Sequence, residues 1–294
     1  MSKQFKDMLR RILGSIKARA VSSSYDVVGD IAIVRILEPE ALCENDYEVI
    51  AGIILDSNPR VKTVLRQYSP VGSLFRVRCL TYMAGEERTV TIHKEYGCRY
   101  KVDLSKVFFS PRLSYERVRV ARSTREGEYI VNMFSGVGCF SIAIARLGKP
   151  KAVYSIDISR DAYMLMKENV YMNDVSYTVI PILGDARQTI ESRLRGVADR
   201  VLEPLPDLAY AYLDVALEAL KPEGGWIHYY NFIHLKSMGL DYEVDRVKRR
   251  VEKMGWRVIY TRARRVRSVG PNWMQIVVDL YVSRNMDGQE LNTG

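Results

Sequence analysis

From Tyr129 onward the sequence alternates short apolar or β-branched runs with amphipathic stretches, and few folds accept that rhythm. Candidate strands are Tyr129–Met133, Ala152–Asp157, Thr178–Gly184, Asp199–Leu202 and Gly225–Asn231. Helical patterns at Cys139–Leu147, Asp161–Asn173, Asp207–Leu220 and Asp241–Met254 lie between or after them. Such alternation implies an α/β fold, a mostly parallel sheet with helices on both faces. Arg257–Val266 and Met274–Ser283 flank Gly270-Pro271, so the sheet is expected to end in an antiparallel hairpin.

Upstream the texture differs. Between Tyr25 and Lys106 lie short strand-like runs: Val27–Leu37, interrupted by Gly29-Asp30, then Val61–Leu65, Phe75–Tyr82 and Arg88–His93. A helix is expected over Glu40–Leu55, giving a small α+β domain rich in Arg and Lys. At the N-terminus Phe5, Met8, Leu9, Ile12, Leu13 and Ile16 recur at helical spacing opposite a basic face. An Arg-rich amphipathic start suits a transit peptide or a membrane-surface helix. A surface helix packed on the next domain is the preferred reading, because Asp7 interrupts the charge and a strand pattern follows at once. The expected division is a helix over 1–24, the small domain over 25–110, the strand–helix domain over 111–284 and a tail over 285–294.

The first strand of the alternating region runs into Phe134-Ser135-Gly136-Val137-Gly138-Cys139. Glycines there let the chain turn sharply and bring backbone N–H groups near a ligand at a helix start. Alone, a GxG turn also serves plain packing. The second strand ends at Asp157, 21 residues beyond Gly136, where a carboxylate can accept from both ribose hydroxyls. The third ends at Gly184-Asp185-Ala186, where Asp185 can accept from an adenine amino group. Either acid alone would read as a helix cap. Successive strand ends together favour an adenosine ligand. The third glycine of the dinucleotide fingerprint is missing, which disfavours NAD, and no GxxxxGK[ST] is present to hold ATP phosphates.

Composition narrows the remaining classes. The 294 residues carry a net charge of +9, which suits a polyanionic partner. No apolar run reaches about 18 residues, so no membrane partner is expected. Cys43, Cys79, Cys98 and Cys139 lack CxxC spacing and read as thiols in a reducing compartment, with no metal site. A cytoplasmic location and a monomer are expected.

Longer motifs carry a resemblance. Thr91-Ile92-His93-Lys94-Glu95-Tyr96-Gly97-Cys98-Arg99-Tyr100 and Phe109-Ser110-Pro111-Arg112-Leu113-Ser114-Tyr115-Glu116-Arg117 resemble the archaeal and eukaryotic tRNA (guanine-37-N1)-methyltransferase family. So do Asn132-Met133-Phe134-Ser135-Gly136-Val137-Gly138, Ile156-Asp157-Ile158, Val179-Ile180-Pro181-Ile182 and Ile227-His228-Tyr229-Tyr230. The resemblance implies a class I, Rossmann-like methyltransferase sheet behind a smaller N-terminal α+β domain. It also implies S-adenosyl-L-methionine as cofactor and tRNA as substrate, with N1 of guanosine 37 as methyl acceptor. N1 carries a proton, so a base must take it and a cation should steady the charge on O6. The resemblance gives these roles to Glu116 and Arg76, with Pro206 as a rigid wall of the site. Without it, the two charges read as a surface salt bridge. Asn132, Phe134, Gly136, Gly138, Asp157, Ile158, Asp185 and Ala186 would hold the cofactor. Arg112, Tyr115 and Arg119 would meet RNA, with Tyr115 or Phe108 stacking on a flipped base.

The sequence departs from the family pattern in places. Asn132 stands where an acid is common. Glu203-Pro204-Leu205-Pro206 replaces an Asn-Leu-Pro motif whose asparagine would bond the target base, which opens the methylated atom to question. Some archaeal relatives methylate C7 of a tricyclic wyosine precursor at the same tRNA position, and a more apolar pocket suits that substrate. The family's N-terminal domain that reads the tRNA elbow is expected to be missing or reduced to the helix at residues 3–19. Two further alternatives stay open. Wyosine aminocarboxypropyl transfer is disfavoured by Pro111-Arg112-Leu113 and Asp157-Ile158, and a silent tRNA-binding protein is disfavoured by the presence of Arg76, Glu116, Asp157 and Asp185.

Overall fold

Residues 2–67 and 77–284 are described by the structure, a computed structural model, so Arg76 and the expected tail lie outside the described residues. The chain forms two units, Met1–Pro111 and Arg112–Gly294.

The first unit opens with α1 (Ser2–Arg19), broken at Gly14, where φ is 79° and ψ 164°. Phe5 and Leu9 of its apolar stripe are buried beside Ile50 and Ile54 of α2 (Glu44–Ser57), whereas Ile12 and Ile16 are exposed. The helix is thus part of this unit's core. A four-stranded sheet has the order β1 (Val21–Val28), β2 (Ile31–Ile36), β3 (Thr63–Gln67), β4 (Leu80–Gly85). β2 and β3 are parallel, joined by α2; the outer pairs are antiparallel. A separate hairpin pairs β5 (Val90–Glu95) with β6 (Cys98–Asp103). Its turn, Tyr96-Gly97, holds both φ angles positive, 45° and 79°, as a two-residue hairpin turn with the strands' own twist requires.

The second unit starts with α3 (Ser114–Ser123) and continues β7 (Tyr129–Asn132), α4 (Cys139–Leu147), β8 (Ala152–Asp157), α5 (Arg160–Met172), β9 (Val179–Leu183). After a short helical segment, α6 (Ala186–Thr189), follow β10 (Arg200–Glu203), α7 (Pro206–Ala219), β11 (Gly225–His234), α8 (Leu240–Lys253), β12 (Trp256–Gly270) and β13 (Trp273–Arg284). The seven strands have the order β12-β13-β11-β10-β7-β8-β9. β7 through β11 are parallel and β13 and β12 form the antiparallel end. This is the expected Rossmann-like sheet with its terminal hairpin. Val131, Val201, Ile227 and Val278 anchor one buried face. The order reverses between β7 and β10, and at that switch point the connections leave on opposite sides and open a crevice at the strands' C-terminal ends.

Candidate active site

Four consecutive loops meet at that crevice, tied to one another by side chains and, between β8 and β9, by the Gly184 N–H donated to the Asp157 carbonyl at 3.0 Å. After β7, Gly136 and Gly138 hold φ at 56° and 89°, conformations that other residues rarely adopt. A Cβ on Gly138 would lie 3.0 Å from Met166 Cγ, a tight contact that adds to the conformational reason for glycine there. Around Gly136 the opposite holds. No atom lies within 4 Å of where its Cβ would be, leaving the turn's backbone open to a ligand. Gly136 donates its N–H to Asp157 Oδ2 at 2.7 Å, and Ser159 donates its N–H to Oδ1 at 2.9 Å. Burial pushes the Asp157 carboxyl up, while these two N–H bonds restrain it.

Phe134 packs edge-on against Tyr212 of α7, ring centroids 5.3 Å apart. The Tyr212 hydroxyl donates to Asp185 Oδ2 at 3.2 Å, and Asp185 Oδ1 caps α6 by accepting from Gln188 N–H at 3.0 Å. Pro206 is buried at the first turn of α7, where a missing N–H breaks no helical bond. Tips of β7, β8, β9 and β10 therefore share one rim. Ile158 is 54% exposed on it and Ala186 is buried.

Two buried side chains at the tips carry polar atoms without a partner. Asn132 Nδ2 donates to Ser141 Oγ at 3.0 Å, but its Oδ1 accepts nothing. Glu203, fully buried, has no hydrogen bond to either carboxyl oxygen. Burial, then the charge of Asp214, pushes the Glu203 carboxyl well above the usual carboxylate range.

Glu116 lies inward from α3, 4% exposed. Its Oε1 accepts from the Tyr230 hydroxyl at 2.7 Å and from Arg119 Nη2 at 2.6 Å, and its Oε2 accepts from Arg119 Nε at 2.8 Å. Tyr230 also meets Phe140, in the first turn of α4 after the glycine loop, at 5.8 Å between centroids. Glu116 is thus two side-chain contacts from the glycine turn.

The expected cofactor residues Asn132, Phe134, Gly136, Gly138, Asp157, Ile158, Asp185 and Ala186 all fall on this rim, with Pro206 beside them. Tyr115 is exposed at 72%, and Arg112 is exposed. Arg119 is placed otherwise than expected. Its side chain is 11% exposed and bridges Glu116 and Asp279, because two buried carboxylates hold a guanidinium more firmly than solvent does. Tyr212 went unnoticed in the sequence, since an aromatic in an amphipathic helix reads as core. His228 and Asp279, 51 residues apart, carry no local signal of their pairing. Among the described residues no group of His, Cys, Asp and Glu could hold a metal, and no helix is long and apolar enough to cross a membrane.

Comparison with known proteins agrees with this layout. The TRM5/TYW2 methyltransferase domain matches residues 91–259, and the TYW2 N-terminal domain matches residues 5–89. The chain is 41% identical to tRNA 4-demethylwyosine(37)-methyltransferase Taw21 of Saccharolobus solfataricus, over 87% of this chain and 92% of that one. It is 37% identical to tRNA (guanine(37)-N(1))-methyltransferase Trm5b of Pyrococcus abyssi, over 90% of this chain and 76% of that one. A tRNA(Phe) (4-demethylwyosine(37)-C(7)) aminocarboxypropyltransferase of Methanocaldococcus jannaschii is 34% identical, over 88% and 98%. Among solved structures, a complex of aTrm5 with tRNALeu superposes with a TM-score of 0.80 at 35% identity, covering 94% of this chain and 77% of that one. M. jannaschii TYW2 in complex with AdoMet gives 0.68 at 30% identity, covering 89% and 100%. The sheet order, the glycine turn and these likenesses agree, and the chain belongs to the TRM5/TYW2 methyltransferase family.

Proposed function

We propose that the chain is an S-adenosyl-L-methionine-dependent methyltransferase acting on the base at tRNA position 37, with C7 of 4-demethylwyosine as its acceptor. The tip of β10 carries the choice of atom. Pro204 offers no side-chain donor or acceptor, and Glu203 beside it is buried, so no amide waits there for the polar edge of a guanine. A tricyclic base with a carbon acceptor suits such a tip better. The 41% identity to the Saccharolobus enzyme points the same way.

The rim fits the cofactor. No side chain crowds the Gly136 turn, Asp157 retains lone pairs for the ribose hydroxyls, and Asp185 has them for the adenine amino group. Bound there, the sulfonium supplies an electrophilic methyl group. Glu116 then takes the proton that the acceptor atom loses, and the Tyr230 hydroxyl, which burial keeps protonated, holds the carboxylate in place. Arg76 is proposed to steady the developing charge on the base. Arg112 and Tyr115, both exposed, are proposed to meet the RNA.

N1 of guanosine 37 is the second reading. It is favoured by the buried carboxylate Glu116, which suits an acidic N–H, and by the likeness to the Pyrococcus enzyme. Two tRNAs, one bearing guanosine 37 and one bearing 4-demethylwyosine 37, separate the readings when incubated with methyl-labelled cofactor. Label in the second alone is expected. Label in the first alone overturns the choice of C7, and label in neither overturns methyl transfer at this position.

A further inference from the structure

We infer that Arg119, clamped from behind by Asp279 and His228, is the positioning residue that sets the charge and direction of Glu116. This rests on the reading of Glu116 as the base. The geometry is a line of buried groups running from the sheet to Glu116 on α3. Arg119 Nη1 donates to Asp279 Oδ2 at 2.8 Å and Nη2 to Oδ1 at 3.0 Å, while Nε and Nη2 grip Glu116. One guanidinium therefore serves two carboxylates, each by a two-pronged contact, which fixes its plane and with it the direction of Glu116.

The line continues behind Asp279. His228, 1% exposed, lies 2.6 Å from Asp279 Oδ1 through Nδ1 and 2.6 Å from Arg200 Nη1 through Nε2. A guanidinium only donates, so Nε2 must accept and the ring proton sits on Nδ1, donated to Asp279. His228 is therefore neutral, in one tautomer. Burial lowers its pKa in keeping with this. Arg200 is held in turn by both oxygens of Glu128, at 2.8 and 3.0 Å. A neutral His228 cannot compensate Asp279, so that anion draws on Arg119, with Arg264 Nε further off at 3.7 Å.

Among the described residues, the charges in the hydrogen-bonded line from Glu116 are Arg119 directly, Asp279 behind it and, through Asp279, Arg264; the Tyr230 hydroxyl is neutral. Arg119 favours the ionised base and Asp279 opposes it, so their removal must shift the base in opposite directions. A network that merely pinned α3 to the sheet would lower activity at every pH and leave the profile in place.

The test is the single-turnover methyl-transfer rate of the full chain on position-37 tRNA, measured against pH. Arg119→Gln is expected to move the acidic limb up by about one pH unit or more, as loss of a contacting opposite charge should. Asp279→Asn is expected to move it down, and Arg119→Lys to leave it near the parent's position at a lower rate, since the charge stays and the fork goes. Limbs that coincide in all three variants overturn the inference. Should Arg119→Gln not fold, the downward shift in Asp279→Asn decides, and its absence overturns the inference too. Glu116→Gln separates the two levels. If its limb persists, Glu116 is not the base; if its limb vanishes while the others stand still, only the positioning role fails.

Discussion

Replacing Asp157 by Asn tests the cofactor cradle with least disturbance. Each carboxylate oxygen of Asp157 already accepts one backbone N–H, at 2.7 Å from Gly136 and 2.9 Å from Ser159, and keeps a lone pair for a ribose hydroxyl. Asn preserves one acceptor but turns an NH2 group toward the other N–H. One ribose bond and one loop bond to a charged acceptor are lost. Hydrogen bonds to charged groups contribute about 1.5–3 kcal/mol each. The loop bond is lost from the free protein as well and cancels, so the expected loss of binding is that of the one ribose bond, about 1.5–3 kcal/mol, or about 10- to 160-fold in Kd. Titration calorimetry with S-adenosylhomocysteine measures it, and a 2′-deoxy analogue completes a double-mutant cycle. The deoxy analogue should bind the parent more weakly and the variant with little further loss. Because burial raises Asp157, affinity should also fall at a higher pH on acidification than an ordinary aspartate would dictate. A variant that binds within about threefold of the parent refutes the cradle, because the loss of even one such bond exceeds that factor. An equal deoxy penalty in both proteins refutes the ribose contact.

Three further outcomes are expected. Glu116→Gln should slow single-turnover transfer by about 10²–10⁴-fold while cofactor affinity holds; an unchanged rate places the base elsewhere. Glu203→Met should stabilise the fold by about 1–3 kcal/mol, because a buried carboxyl without partners is removed. Its folded pKa is raised, so the pH-dependent part of the parent's penalty is absent below the unfolded value and grows as pH rises; urea unfolding should show a larger gain at pH 8 than at pH 5, and equal gains contradict the assignment. Asp279 is the reverse case. Burial alone would raise it, but the hydrogen bond from His228 and the charge of Arg119 hold it at about 2, against an ordinary 3.8. Its contribution of about 2 kcal/mol is present above the unfolded value and is lost as pH falls through about 4 to 2. His228, lowered by burial, also withdraws stability once pH falls below its ordinary value of 6.5. Unfolding midpoints that ignore acid between pH 7 and 2 contradict both.

Much of the second unit was legible because its strands and helices keep their own periods. The expected Ala152–Asp157 and Cys139–Leu147 coincide with β8 and α4, and Asp207–Leu220 differs from α7 by one residue at each end. α3 was not assigned. Its Arg117-Val118-Arg119-Val120 alternates like a strand, and only packing makes it a helix. β6 was missed because Tyr96 is an unusual residue for a turn that needs positive φ. Local signals mark the rim proposed to hold the cofactor, where glycines and acids recur at fixed offsets from strand ends. They did not reveal the network behind Glu116, which joins α3, β11 and β13 across as many as 160 residues. Arg119 looked like a phosphate contact because basic residues surround it in sequence. Its actual partner, Asp279, is brought to it by the sheet. Arg76 lies outside the described residues, and its role stays where the resemblance put it.

The most direct measurement is the mass of nucleoside 37 after one turnover on tRNA carrying 4-demethylwyosine, with S-adenosyl-L-methionine as the only donor. The account predicts the gain of a single methyl group, seated on the C7 carbon. An unchanged nucleoside, or one enlarged by an aminocarboxypropyl group, would contradict it.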